Sequence, residues 1–417
     1  MQHLFTPMIL LAAITAMPAN ESNAAETGQR FIQDRFVISF WVDPPLDDKA
    51  DERYREIQEA GFNVVLGGFG ASLPEKAAKQ LQLCEKYGLK AIVWSQGIDA
   101  ENLPDGPACW GYSVRDEPST EDFPGLRDRV DEIRAARPGK LAYINLFPNY
   151  VSKEGMKASS YEEYIQRFLD EVGVDVLSMD HYPLFKPGED GRDNYCANLE
   201  VMRTESLRKG IPFWNFFNTM PYGPQTDPTE AQLRWQIYSS LAYGAKGILY
   251  FCYYTPVSPE FPKGGAIIQT NDKKTRHYDQ ARRINHEIAN LGPTLMKLEC
   301  QKAIRIKGEE NLSELLKDSP IRNLGRADYD PLPDYLLGVF KHEDGRRAVL
   351  LNNYHFAYTA WPTVEFDAEP SQVMEVDKTS GKEAPVQDDS PELEGIQISL
   401  DAGEGRLFLL PGKNQDR

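Results

Sequence analysis

The sequence has little of what several function classes require. Its five cysteines (Cys84, Cys109, Cys196, Cys252 and Cys300) stand far apart, with no C-x-x-C pair. That excludes a structural zinc knuckle and a disulfide framework, and the odd count leaves at least one free thiol. Six histidines spread over 417 residues give no clustered metal set. Lys and Arg number 46 against 63 Asp and Glu, a formal charge of −17. So acidic a chain lacks the dense cationic footprint that sequence-independent nucleic-acid binding needs. The glycine-rich stretch Gly67-Gly68-Phe69-Gly70 matches neither phosphate-binding pattern, and no G-x-S-x-G nucleophile turn is present. The apolar run Leu4 to Met17 is too short to span a bilayer. With the small residues near Ser22 to Ala25 it reads as a signal peptide over residues 1–24, which implies a secreted or periplasmic bacterial protein.

What is present is a large globular chain, 41% hydrophobic and 11% aromatic. From Phe36 to about Leu291, short β-branched or aromatic runs alternate with amphipathic stretches, the pattern of βα units around a parallel sheet. Eight strands are expected: Arg35–Trp41, Phe62–Leu66, Lys90–Trp94, Trp110–Val114, Leu141–Asn145, Val174–Ser178, Phe213–Phe217 and Gly247–Phe251. Between them lie helical stretches such as Lys49–Ala60, Pro74–Tyr87, Asp122–Ala136, Tyr161–Val172 and Thr229–Tyr243, with apolar residues at three- and four-residue spacing. Ser95 to Cys109 is too short for a full helix. Eight such strands in about 250 residues fit a (β/α)₈ TIM barrel, an α/β fold, over residues 31–295. After Arg276–Leu291, expected as the eighth helix, strand-like runs alternate with turns, from Leu336–Phe340 to Arg406–Leu410. Residues 296–417 therefore read as a C-terminal antiparallel β-sandwich. No linker or internal repeat separates the two parts, so they should share a packed interface.

In such a barrel the functional groups sit at the C-terminal ends of the strands. Those addresses hold carboxylates among Trp, Tyr and Asn, which suits sugars: aromatic faces stack on pyranose C–H faces, amides bind hydroxyls, and paired carboxylates cleave glycosidic bonds. No metal or other cofactor is called for. The strongest motif is Trp110-Gly-Tyr-Ser-Val-Arg-Asp116-Glu117-Pro118. Two adjacent acids ending a buried strand carry a desolvation cost that suits general-acid work at Glu117. The structural alternative is a helix N-cap or a salt bridge to Arg115. Asp180, in Ser178-Met-Asp180-His181-Tyr182-Pro183, is the next candidate. Asp43, Asn145, Tyr182, Trp214, Asn218 and Tyr253 are candidate substrate contacts, each with barrel lining or a turn as its alternative. His181 reads as a structural partner of a neighbouring loop, and Glu260 as an exposed loop acid.

The Asp-Glu-Pro step resembles the strand 4 motif of clan A glycoside hydrolases, whose glutamate is the acid/base. The stretch Arg234 to Phe251 resembles the last helix and strand of beta-galactosidase-like barrels in that clan. The resemblance implies a glycoside hydrolase with a carbohydrate substrate. It departs at strand 7, where clan A has its nucleophile and Phe213–Thr219 contains no acid. Two replacements stay open. Asp116-Glu117 is also similar to the acid pair of barrel N-acetylhexosaminidases, in which Asp orients the substrate acetamido group as internal nucleophile. Alternatively, Asp180 supplies the second carboxylate. A non-catalytic carbohydrate-binding protein on a glycosidase scaffold is the rival reading.

Overall fold

The structure, a computed structural model, describes residues 29–259, 261, 265–327 and 330–413. The expected signal peptide and Glu260 lie outside the described residues. Eight parallel strands open the fold: β1 (Val37–Phe40), β2 (Val64–Leu66), β3 (Lys90–Trp94), β4 (Cys109–Asp116), β5 (Leu141–Asn145), β6 (Leu177–Asp180), β7 (Phe213–Asn218) and β8 (Gly247–Phe251). The intervening helices are α1 (Ala50–Glu59), α2 (Pro74–Lys86), α3 (Phe123–Ala136), α4 (Lys153–Met156), α5 (Tyr161–Glu171), α6 (Arg192–Lys209), α7 (Glu230–Ala242) and α8 (Arg276–Leu295).

Local chemistry explains these elements. In α5, Tyr161, Tyr164, Ile165, Phe168 and Leu169 recur on one face and are buried, while Ser160 caps the first turn by accepting from the Glu163 N–H at 3.1 Å. α6 ends at Gly210, whose φ of 66° is the left-handed turn that glycine makes without a Cβ clash. Between β3 and β4 there is only a single helical turn, Ala100–Asn102, as the short Ser95–Cys109 segment requires.

The strands form two four-stranded sheets, β1-β8-β7-β6 and β2-β3-β4-β5. Specific hydrogen bonds join the sheets at both margins. Between β1 and β2, the Asn63 N–H donates to the Ile38 carbonyl at 3.0 Å. The Asn63 side chain accepts from the Ile38 N–H (2.9 Å) and donates to the Phe36 carbonyl (2.8 Å). Between β5 and β6, the Leu146 N–H donates to the Ser178 carbonyl at 2.9 Å. An interior apolar layer of Val37, Val64, Ile92, Leu141, Tyr143, Trp214 and Leu249 draws on both sheets.

The C-terminal part comprises β9 (Leu298–Lys307), β10 (Ile321–Gly325), β11 (Asp334–His342), β12 (Arg347–Asn353), β13 (Thr363–Phe366), β14 (Met374–Val376), β15 (Glu383–Pro385), β16 (Ile396–Gln397) and β17 (Gly405–Leu410). A six-stranded sheet, β15-β14-β17-β12-β11-β9, and a three-stranded sheet, β10-β13-β16, are antiparallel throughout. Both contribute to one apolar cluster that includes Ile304, Leu337, Val349, Val364 and Phe408. α7 packs on β11 and β12 without a spacer. Gly338 allows this, because a Cβ there would lie 2.4 Å from the Ala242 carbonyl oxygen.

Two expectations shift. β6 runs to Asp180 rather than starting at Val174, because Val174 and Asp175 form the approach to the strand and Asp175 is tied to Arg30 at 2.6 Å. The antiparallel region begins at Leu298, earlier than the first strand expected there, because β9 alternates charged and apolar residues without a turn signal before it. Asn63→Ala should destabilise the chain by about 1–3 kcal/mol in equilibrium denaturation, since it leaves the buried Ile38 N–H without its acceptor.

Candidate active site

The β-strand ends converge on a cavity of 180 Å³ lined by Trp41, Asp116, Glu117, Asn145, Asp180, Tyr182, Phe216, Tyr222 and Phe251. Each of β1, β4, β5, β6, β7 and β8 contributes from its C-terminal end. A larger cavity of 640 Å³ opens at the opposite ends of the strands, around Phe31, Ile211, Phe213, Lys246 and Leu298. Its cations are already engaged: Arg30 with Asp175, Arg203 with Glu200, and Lys246 with the Leu295 and Leu298 carbonyls. The smaller cavity is the one that gathers candidate carboxyls from the strand ends.

Glu117 is held in a conformation that non-glycine residues avoid, with φ of 46°. Its N–H donates to the Asn145 carbonyl at 2.9 Å, which pins it to β5. The chain beyond is fixed as well. The Tyr164 hydroxyl donates to the Pro118 carbonyl at 2.7 Å, and Ser119 forms a reciprocal capping box with Asp122. Ser119 thus fills the cap position with Asp122 as its partner, and Arg115 turns to Asp122 at 3.7 Å. The structural alternatives for Glu117 are taken by Ser119 and Asp122, and the half-buried Glu117 carboxyl faces the cavity.

Asn145 links the other two acids. Its Nδ2 donates to Asp116 at 3.2 Å and to Asp180 at 2.8 Å, which places those two carboxyl oxygens within about 6 Å of each other. Asp180 is buried and also receives a hydrogen bond from Tyr182. Asp116 reaches solvent at the rim, although the crowded cleft walls withhold much of its hydration.

Among the described residues, no Lys, Arg or His lines this cavity. Burial outweighs what donors and the charge of Arg115 return to these acids, and all three bind protons more tightly than free carboxyls. Burial, reinforced by the charge of Asp116, pushes the Glu117 carboxyl up to about 7. Burial raises Asp180 well above the usual carboxylate range, with Glu117 and then Asp116 adding to the effect. Asp116 is raised by burial, against hydrogen bonding from Asn145 and the charge of Arg115. Among the described residues, no group of three or more His, Cys, Asp or Glu is arranged to hold a metal ion.

The structure brings together five of the nine candidate residues: Asp116, Glu117, Asn145, Asp180 and Tyr182. The other four are placed elsewhere, each for a physical reason. Asp43 is buried and accepts from the N–H groups of Phe69 (2.8 Å), Gly70 (3.0 Å) and Ala71 (2.8 Å), so it holds the glycine-rich β2–α2 loop. Trp214 shares the inward face of β7 with Phe216 but lies a layer deeper, stacked on Tyr143 and donating to Gln33 at 2.9 Å. Asn218 is tied to α7, its N–H donating to Gln236 at 3.2 Å and its carbonyl accepting from Gln236 at 3.1 Å. Tyr253 is stacked on Phe40 at 4.5 Å in the packed core. His181 lies within hydrogen-bond distance of Asn198, and burial pushes it down to about 4, so its ring is neutral.

Sequence reasoning missed Trp41, Phe216, Tyr222 and Phe251. Trp41, Phe216 and Phe251 end or follow strands, so their addresses were visible, but aromatic residues also fill interior layers. Tyr222 lies in an irregular loop with no periodic signal. The β7 contribution to the cavity is the Phe216 ring, in keeping with the missing strand 7 acid.

No protein-family model matches the chain, and no curated protein matches it in sequence. Solved structures do. A catalytic mutant of a GH42 beta-galactosidase from G. stearothermophilus aligns over 93% of this chain and 100% of its own, with a TM-score of 0.57 and 9% identity. A beta-galactosidase from Bacillus circulans sp. alkalophilus aligns over 90% and 99%, with a TM-score of 0.56 and 11% identity. A family 39 glycoside hydrolase from the gut symbiont Bacteroides cellulosilyticus aligns over 92% and 81%, with a TM-score of 0.51 and 12% identity. The resemblance to beta-galactosidase-like clan A glycoside hydrolases is therefore borne out at the level of the fold.

Proposed function

We propose that the chain is a secreted glycoside hydrolase, with residues 31–295 closed into a (β/α)₈ barrel that carries the site and residues 296–417 as a supporting sandwich. The observation that carries this reading is the convergence of Asp116, Glu117 and Asp180 with five aromatic rings in one cavity, with no cation among its described lining residues. Carboxyl groups supply acid/base chemistry at a glycosidic oxygen, and the rings present stacking faces for a sugar. At 180 Å³ the cavity is below the ~300–1,000 Å³ of drug-sized ligand sites, which suits one sugar residue. The three acids of the lining, with no cation among its described residues, favour neutral or amino sugars over uronates and sulfated sugars.

Glu117 is the general acid that protonates the leaving oxygen. A carboxyl near 7 retains its proton at working pH and releases it without a large penalty. Asp180 or Asp116 supplies the second function, as nucleophile, general base or orienting group. Substrate assistance, with Asp116 orienting an acetamido group, has one specific observation in its favour. No carboxyl reaches the cavity from β7, and Asp116, nearer to water than Asp180, ionises more readily. Asp180 is then a protonated neighbour.

A panel of aryl glycosides and natural glycans should reveal a cleaved substrate. Glu117→Gln should lower kcat on natural linkages by about 10³-fold, and less on activated aryl leaving groups, which need little protonation. Asp180→Asn and Asp116→Asn then identify the second carboxylate as the one whose loss also stops the activated substrates. Glycan binding without cleavage, unchanged by all three substitutions, would replace the enzyme with a binding protein. The pH dependence has a fixed sign. Glu117 acts protonated, so kcat/KM should fall as pH rises through about 7, and a basic limb lying several units higher would remove Glu117 from the acid role.

A further inference from the structure

We propose that Ser178 and Tyr143, which lie beneath the cavity and do not line it, fix the orientation of the Asn145 amide and thereby set how protons are distributed among Asp116, Glu117 and Asp180. For turnover, the inference rests on the glycosidase reading of the same site. For protonation it stands apart from that reading, on the hydrogen-bonded chain beneath the cavity.

An Asn side chain has two ends of nearly equal shape but opposite hydrogen-bonding character, so its neighbours decide which way it points. Here the neighbours form a one-way chain. The Tyr143 hydroxyl lies 2.9 Å from the Ser178 hydroxyl, and Ser178 Oγ donates to Asn145 Oδ1 at 3.1 Å. A serine hydroxyl has one proton. If Ser178 gives it to Asn145, Ser178 must accept from Tyr143. Tyr143 is then the donor, because the one Ser178 proton is already given to Asn145 and burial makes the Tyr143 hydroxyl a weaker acid, so it keeps its own proton to give. With Oδ1 committed downward, Nδ2 faces the cavity and donates to Asp116 and Asp180 together. All three members of the chain are buried, so water cannot replace a lost link at little cost. Tyr143 is itself held by stacking on Trp214 at 5.7 Å.

The consequences have definite signs. Donation from Nδ2 stabilises the ionised forms of Asp116 and Asp180. Without Ser178 the amide is free to turn its oxygen toward the acids, which then hold their protons to higher pH. Less negative charge beside Glu117 lets Glu117 lose its proton at lower pH. The other titratable groups around the acids stay fixed. Tyr150, Tyr161, Tyr164 and Tyr182 all remain protonated, Arg115 acts on Asp116 and Asp122, and neutral His181 faces Asn198.

Ser178→Ala and Tyr143→Phe, made in the full chain, test this. Tyr143→Phe keeps the ring that stacks on Trp214, so it serves if Ser178→Ala folds poorly. Carboxyl titrations followed by ¹³C NMR should show Asp116 and Asp180 shifted up, and Glu117 down, by about 0.5–1 pH unit. The bell of kcat against pH should narrow from both sides, with kcat at its maximum reduced about fivefold and KM within twofold of wild type. Ser178→Thr, which restores a hydroxyl, should recover the wild-type profile. Titration curves of both variants that overlay wild type would overturn the relay, as would shifts that Ser178→Thr fails to reverse. If wild type cleaves no glycan, the glycosidase reading fails, while the NMR titrations still decide the relay.

Discussion

Three carboxyl groups share one small cavity with no cation among its described lining residues, and much of the surrounding structure answers that constraint. Removing a carboxylate from water without a partner costs several kcal/mol, and a protein avoids most of that cost by keeping the group protonated or giving it hydrogen-bond donors. Both solutions appear here. Asn145 and Tyr182 donate to Asp180, Asn145 also serves Asp116, and Glu117 holds its proton up to about 7. A purely structural site would more simply have placed an arginine among them. Retaining the imbalance is what gives a carboxyl group a proton to transfer near neutral pH.

The rest of the fold keeps these groups in place. Glu117 adopts its strained backbone because the Asn145 carbonyl, the Tyr164 hydroxyl and the Ser119–Asp122 capping box hold the chain on either side of it. Below the cavity, Trp214, Tyr143 and Ser178 form a packed and hydrogen-bonded floor, so the polar groups above rest on a rigid layer. Asp43 secures the adjacent β2–α2 loop through three backbone N–H groups. Its neighbour Gly70 lies so close to the Pro44 carbonyl that any side chain would collide with it. The glycine-rich stretch is therefore explained by packing, and a phosphate is not needed to account for it.

The alternation of strand and helix was legible because buried parallel strands and amphipathic helices leave strong periodic signals. The strand-end addresses of Asp116, Glu117, Asn145, Asp180 and Tyr182 followed from that reading. What stayed hidden was depth along a strand. Trp214 and Phe216 share a face of β7, and only the three-dimensional rise of the strand tells which of them reaches the cavity. Asn218 and Tyr253 stand near strand ends yet turn to α7 and to Phe40, choices made by tertiary partners far away in sequence. β9 escaped notice because one of its faces is exposed and charged, which blurs the strand pattern.

The central claim is that Glu117 protonates a glycosidic oxygen within the aromatic cavity. A crystal structure with a non-hydrolysable S- or C-glycoside would test it most directly. A sugar ring is expected against Trp41, Tyr182 or Phe216, with a Glu117 carboxyl oxygen about 3 Å from the atom that replaces the glycosidic oxygen. A sugar seated in the cavity at the opposite ends of the strands, or one in this cavity with its linkage turned away from Glu117, would contradict it.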